Sequence, residues 1–403
     1  MIARTPQEIA NAGPELSPGH RVRGIDTLRG VDVVLVVLHH INLRFWIDDY
    51  DVEGLLPGTL DKALFWSGYY AVITFFVISG FLITTLSMRR WISLERIPLS
   101  RFYRLRGARI LPCLLVLLVT LSVLHWAGAS DFVIHPEVAS LGRALVAALT
   151  FHVNWLEGHR SYLPANWDVL WSLSVEETFY LLFPLVCLVL RNERWIVVCM
   201  VALIVVGPFN RVALEGRDPW GDYAYFSCMD GIAFGCIAAW VTARVRLGRP
   251  VLRVATALGF VIVVAIVVFR KQISDLGLTK AGLDVTALES GVALLLIGLA
   301  RGVANTTLSR GTAWLRLAGR CSYEIYLTHM FVVLGLMHPF RDLFGPRPHY
   351  AAAYFATYAV MLVLSVLFGY VVERWFSDPL NRVLRGARTE RVARSPESVA
   401  VRR

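Results

Sequence analysis

The feature that most narrows the possible folds is a recurrence. Stretches of about 20 mainly apolar residues return along the whole 403-residue chain, each long enough to carry an α-helix through a hydrocarbon layer about 30 Å thick. They lie near 30–47, 64–87, 109–127, 169–190, 195–213, 223–242, 251–269, 283–300, 315–338 and 351–372. Lipid offers no partners to backbone N–H and C=O groups, so helices, which satisfy those groups internally, are the expected spanning elements. Composition agrees, since 56% of the residues are hydrophobic and only 17% charged, a balance foreign to soluble domains. The expected fold class is all-α: a polytopic integral membrane helical bundle of about ten transmembrane helices.

The net charge of +10 could suggest nucleic acid, but the excess is mostly arginine confined to short connections between apolar runs, which is a topology signal. Arg21, Arg23 and Arg29 precede the first span, Asp48, Asp49, Asp51 and Glu53 follow it, and the next connection holds Arg89, Arg90, Arg96, Arg101, Arg104, Arg106 and Arg109. The segment from Leu141 to Leu156 is short and carries Arg143, His152 and Asn154. If it crossed, the connection with Arg244, Arg246 and Arg249 and the arginine-rich tail would both lie outside. It is therefore expected to be re-entrant or interfacial, with both termini cytoplasmic and the protein in the bacterial inner membrane. Residues 1–24 lack the apolar core of a signal peptide and read as a cytoplasmic tail, 25–376 as the transmembrane domain, and 377–403 as a basic cytoplasmic tail suited to anionic lipid. The six cysteines sit in apolar segments at irregular spacings. They read as core residues, with no disulfide, no metal site and no permanently bound cofactor expected.

Within this frame the telling residues are polar ones placed where burial costs free energy. Ile25-Asp26-Thr27-Leu28-Arg29-Gly30 leads into an apolar helix containing His39 and His40. Arg29 and His40 are close to three helical turns apart, so they share a face about 16 Å apart along the axis. Arg29 alone would fit snorkelling at the cytoplasmic end, but an imidazole deep in a span calls for a polar interior. The pair is expected to look into one wet tunnel. Asp32, about one turn beyond Arg29, is expected to neutralise it.

These residues, together with four further blocks, resemble acyltransferase family 3, the membrane O-acyltransferases of bacterial surface glycans and some small molecules. The family's first helix opens Asp-x-Leu-Arg-Gly and carries an arginine and a histidine separated by ten residues. Ala71 to Thr84, AVITFFVISGFLIT, is similar to its Phe-Phe-x-x-Ser-Gly-Phe helix, with Ile73 where an aspartate is common. Arg101 to Pro112, RFYRLRGARILP, resembles its arginine motif, with Arg106 and Arg109 as the RxxR pair. Trp171 to Tyr180, WSLSVEETFY, is similar to Trp-Ser-Leu-Ser-Val-Glu-Glu, with Thr178 replacing a glutamine. Cys321 to His329, CSYEIYLTH, resembles the late Ser-Tyr-x-x-Tyr-Leu-x-His helix. The resemblance implies an acyl group taken from cytoplasmic acyl-CoA, foremost acetyl-CoA, and delivered to a hydroxyl outside.

Physical chemistry assigns roles beside that resemblance. Arg106 and Arg109, at the mouth of a span, are donor-binding candidates because guanidinium forks suit phosphate oxygens, whereas Arg89, Arg90 and Arg96 need only the positive-inside rule. His40 is the candidate general base or transient acyl carrier, and Arg29 and Glu176 complete the catalytic set. Neighbouring helix residues diverge by about 100°, so one of Glu176 and Glu177 is expected to face the cavity. Glu176 is preferred, to orient the acceptor hydroxyl or polarise His40, while Ser174 and Glu177 read as a capping box at a helix start. Ser322, Tyr326 and His329 share one face of the ninth span; interhelical hydrogen bonding suits the first two, and His329 is a structural partner or a site residue. Trp46, Tyr50, Trp66, Tyr69, Tyr70 and Trp167 are expected in an interfacial aromatic belt.

The function expected is a membrane-bound O-acyltransferase, in the first place an O-acetyltransferase, acting on a glycan, glycolipid or glycosylated metabolite. The expected partners are acyl-CoA, the acceptor and the bilayer, with no nucleic acid. The chain ends soon after the last span, without the extracytoplasmic hydrolase-like domain fused to some relatives, so a separate extracytoplasmic partner is a further expectation. Two alternatives remain: a transporter or exporter built from broken helices, against which stands the lack of an internal repeat, and an acyltransferase for a soluble small molecule.

Overall fold

The computed structural model describes residues 22–45, 57–91, 93–303, 310–344 and 351–385. Trp46, Tyr50, residues 1–21 of the first tail and residues 386–403 of the second lie outside the described residues. The main helices are α1 (Arg23–Phe45), α2 (Gly58–Phe65), α3 (Gly68–Trp91), α4 (Leu99–Trp126), α5 (Leu141–Leu149), α6 (Val153–His159), α7 (Leu170–Leu190), α8 (Glu193–Ala213), α9 (Tyr225–Arg244), α10 (Arg249–Val268), α11 (Leu283–Ala300), α12 (Ala313–Arg320), α13 (Ser322–Phe344), α14 (Ala351–Val372) and α15 (Asp378–Leu384). No strand occurs among the described residues.

Among the described residues, eight segments are long and apolar enough to cross a membrane, those built on α3, α4, α7, α8, α9, α10, α11 and α14. The other two expected spans correspond to α1 and α13, each 23 residues long. Both have the length of a span, but they carry the polar groups of the site described below. Only 17% of the span windows of α8 and α10 is buried, against 67% for α3 and for the segment holding α9. The first two therefore belong to the rim, and the bundle is organised around α3 and α9. Gly80 of α3 and Gly235 of α9 make that seam: a Cβ on either would run into the other helix's backbone, at the Ile232 and Val77 carbonyls. Small residues that let backbones meet are how helices associate where the hydrophobic effect is weak.

The Leu141–Leu156 segment breaks in two. α5 ends after Leu149, Phe151 takes a left-handed φ of 56°, and α6 leaves in a new direction. At about 1.5 Å per residue, helices of nine and seven residues are too short to cross. They cover the start of α7 instead, where the Val153 N–H donates to Ser174 Oγ at 3.0 Å and Asn154 donates to the Tyr223 carbonyl at 3.0 Å. This cover corrects part of the aromatic expectation. Trp167 is wholly buried within a cluster including Leu156 and Leu163, and the Tyr69 hydroxyl is buried as well, so these two rings meet protein where headgroups were expected. Glu157 of α6 shares the enclosure. Its Oε1 accepts the Leu163 N–H at 3.0 Å, its Oε2 has no partner, and burial holds its carboxyl well above the usual range. No disulfide joins the six cysteines among the described residues, and five of them are buried.

Candidate active site

α1 supplies the first two groups. Gly30 lets α12 pass so closely that any Cβ would strike the Leu315 carbonyl, and Gly319 of α12 abuts the Asp26 carbonyl in turn. The seam fixes the roll of α1 and turns Arg29, 8% exposed, toward α13, where its Nη2 donates to Ser322 Oγ at 2.7 Å. Asp32, expected to neutralise Arg29, is buried with its Oδ2 unpaired. Farther along, His40 donates from Nδ1 to the Val36 carbonyl at 2.9 Å. His39 faces elsewhere: its Nδ1 meets the Phe65 carbonyl at 3.1 Å and its ring fills the space beside Gly68.

α13 answers α1 with one face. Ser322 takes Arg29, Tyr326 exchanges a hydrogen bond with Ser172 of α7 at 2.6 Å, and the His329 ring stands 4.8 Å from the His40 ring. His329 is fully buried, and its Nδ1 lies 2.7 Å from the Tyr326 carbonyl.

α4 and α7 bring the third group. Arg106 Nη2 lies 3.0 Å from Glu176 Oε1 and 2.8 Å from Glu177 Oε1, its Nε donates to Glu177 at 3.2 Å, and its guanidinium sits 3.5 Å from the centre of the Tyr180 ring. Glu176 also accepts from the Tyr180 hydroxyl at 2.8 Å and from the Ser79 hydroxyl. Three expectations change here. Glu176 bonds to Arg106, Tyr180 and Ser79 rather than to His40, because α4 and α3 reach it first. Arg106 lines the cavity with two carboxylates engaging its guanidinium, partners the sequence reading did not give it. The capping box is absent: α7 begins at Leu170 with Val169 before it, so Ser174 lies inside the helix, donating to the Leu170 carbonyl and accepting from Val153.

A cavity joins these elements. α3 forms an apolar wall running from Val72 to Leu86, and Arg29, Arg106, Arg109, Glu176 and Tyr326 are among its polar lining residues. Glu177 does not line it, and neither do His40 and His329. Of the pair expected to face one tunnel, Arg29 lines this cavity and His40 is not among its lining residues. Tyr326, held to Ser172, lines the cavity, and His329 stands about one turn farther along α13 with the His40 ring of α1 against it. Arg109 lines the cavity and makes no ion pair among the described residues.

Ser79, Tyr180 and Ser172 are site residues that the sequence did not single out, although each lies in one of the family-like blocks. The signal available was Tyr180 one helical turn after Glu176, a spacing at which side chains meet. A second buried acid cluster, Arg211 with Asp230 and Glu289, also escaped notice. No group of three or more metal-binding side chains occurs among the described residues.

Comparison with known proteins places this geometry in context. The acyltransferase family 3 profile, described as an acyltransferase domain, matches residues 22–370. The peptidoglycan O-acetyltransferase OatA of Listeria monocytogenes is 27% identical over 350 residues, covering 81% of this chain and 51% of that protein. The O-acetyltransferase OatA of Staphylococcus aureus is 24% identical over 387 residues, covering 89% of this chain and 57% of that protein. The chain therefore spans somewhat more than half the length of these curated relatives. No solved structure matches.

Proposed function

The chain belongs to acyltransferase family 3, and from that premise we propose that it is a membrane O-acyltransferase, in the first place an O-acetyltransferase, that draws on cytoplasmic acyl-CoA and acylates a hydroxyl of an extracytoplasmic glycan or glycosylated molecule. The O-acetyltransferases among its relatives support the reaction class, and the peptidoglycan named for one of them supports a glycan acceptor. The charge asymmetry of the connections supports a bacterial inner-membrane protein with both termini cytoplasmic.

The observation that carries this reading is the combination of cavity and imidazoles. Arg109 offers a cation at the end of the α3 wall marked by Leu86, suited to the phosphates of CoA. From Leu86 to Val72 the wall is about 21 Å long at helical rise, room for an extended pantetheine arm beside apolar side chains. Arg29 then lies where it can stabilise the oxyanion that forms when a thioester carbonyl is attacked. The Arg106–Glu176–Tyr180 cluster holds the walls in register. Beyond Tyr326, His40 carries its proton on Nδ1, because a carbonyl can only accept, so Nε2 holds the lone pair that takes the acceptor's hydroxyl proton. The hydroxyl oxygen bonds to the acyl carbon, the carbon–sulfur bond breaks, and the CoA thiolate leaves to be protonated.

The test is the acyl content of surface glycans and secreted metabolites, read by mass spectrometry in cells making wild-type protein or His40→Ala. Loss of one acyl mass shift in the variant is expected and would name acceptor and group together. An unchanged acyl profile at equal protein level would remove His40 and this reading with it.

A further inference from the structure

We infer that His329 is a positioning residue for the proton in this reaction: it and His40 form a two-imidazole site that holds one proton between their Nε2 atoms. The inference rests on the acyltransferase reading above and goes beyond it by assigning the proton's destination.

Three observations carry it. Each ring has its Nδ1 against a carbonyl of its own helix, Val36 for His40 and Tyr326 with Ile325 for His329. Carbonyls accept only, so both rings are fixed as the Nδ1–H tautomer and both neutral rings present a bare Nε2 lone pair. The rings stand 4.8 Å apart at 61°, so they are neighbours. The Nε2 of His329 is buried without any hydrogen-bond partner, a state that costs free energy and calls for an explanation.

Two bare lone pairs cannot bond to one another. One added proton changes that, since an Nε2–H on His40 can donate to the Nε2 of His329. The pair is thus unsatisfied when neutral and satisfied after taking up a single proton. In the reaction, the acceptor O–H bond breaks and its proton goes to His40 Nε2, where His329 stabilises the imidazolium. The proton later returns through His40 to the departing thiolate or to water, so the pair ends as it began. The charged and titratable groups around it are His39 and Arg44 on α1, Tyr326 on α13, Tyr358 on α14 through Asn42, and Asp168 beside Arg44. None of them supplies the missing partner to His329 Nε2.

The experiment compares transfer from acetyl-CoA by wild-type protein, His329→Phe and His329→Gln in membranes, across pH, with His40→Ala as control. His329→Phe keeps a ring but removes the acceptor atom; transfer should fall at least tenfold at neutral pH. Its rise with pH should begin at lower pH than in the wild type, because the imidazolium of His40 has lost its stabilising neighbour. His329→Gln, whose amide oxygen can accept from His40, should recover most of the loss. A pH profile unmoved in both variants, or His329→Phe with wild-type transfer, would overturn the inference. If His329→Phe does not accumulate, His329→Leu takes its place beside His329→Gln, and a low Leu with a recovered Gln supports the shared proton while equal, wild-type transfer in both overturns it. Should His40→Ala retain transfer, the fault lies in the wider reading; should it abolish transfer while the His329 profiles stay put, only the shared proton is wrong.

Discussion

Two clusters in this bundle have the same ingredients, one guanidinium and two carboxylates, and opposite settings. Arg106 with Glu176 and Glu177 borders the cavity, its side chains 19%, 26% and 7% exposed. Arg211 with Asp230 and Glu289 is closed: Arg211 is 8% exposed, Asp230 and Glu289 not at all. Glycines make room for the second cluster, since a Cβ on Gly231 would come 2.9 Å from Glu289 Oε1 and one on Gly207 would strike the Asp230 carboxylate. The closed guanidinium is further tied by carbonyls, donating to Ser227 at 2.7 Å and Gly282 at 3.1 Å. The open one has the Tyr180 ring face against it and no carbonyl partner among the described residues. Charge buried in a membrane bundle is thus not by itself a sign of chemistry. What separates the two is access for a substrate.

Substitutions at the closed cluster should have the largest effects. Arg211→Met leaves the buried Asp230 carboxylate without its cation, and breaking a buried pair in this way costs about 3–5 kcal/mol. The folded fraction in detergent, followed by size-exclusion chromatography and thermal unfolding, should drop sharply. Replacing Arg211, Asp230 and Glu289 together with apolar residues of similar volume should restore it, because removing the whole set also removes its desolvation cost. A restored, folded triple variant that cannot transfer acyl groups would show that the closed cluster takes part in function.

Arg106→Gln should behave in the opposite sense. Glu176 is partly exposed and keeps the Ser79 and Tyr180 hydroxyls, and only the buried Glu177 loses its donor. Folding should therefore suffer less than at Arg211, while transfer falls by about a hundredfold as the cavity wall loses its register. Equal losses of fold at the two sites would erase the distinction drawn between them.

How much of this was legible in the sequence depends on the length scale of the signal. Helices and their lengths were legible because lipid imposes a span of apolar residues, and the short Leu141–Leu156 segment because the arginines of the later connections argued against its crossing. Arg29 and His40 stood out because each is costly where it sits. Which residue meets which across helices was not legible. Ser174 looked like a cap because Glu177 follows at the right interval, yet the helix had already begun a turn earlier through Leu170 and Trp171. Glu176 was expected near His40, but the Gly80 and Gly235 seam, a contact between residues far apart in the chain, settles how α3 lies and brings Ser79 to Glu176. Asp230 and Glu289 sat in apolar runs and passed as incidental, since nothing local announces that they lie together near Arg211.

Arg109 probes the open side without touching either cluster. Arg109→Glu should leave the folded fraction unchanged and raise the KM for acyl-CoA about tenfold or more, the scale of a lost charge-assisted bond, with a smaller change in kcat. Unchanged donor dependence would take Arg109 out of the donor path.

The smallest effect is expected at Tyr180. Its hydroxyl is one of several donors onto Glu176, while its ring supports the Arg106 guanidinium. Tyr180→Phe removes the first and keeps the second, so it should cost about 1 kcal/mol, the net worth of one hydrogen bond, and reduce transfer by less than tenfold. The ring-less Tyr180→Leu should cost more, because Arg106 then loses the surface it lies against. The order of these two variants separates the roles of the cluster. If the hydroxyl delivered or received a proton in the reaction, Phe and Leu would be equally inactive however well they fold; if the cluster only shapes the cavity, transfer should track the packing of Arg106, with Phe well above Leu.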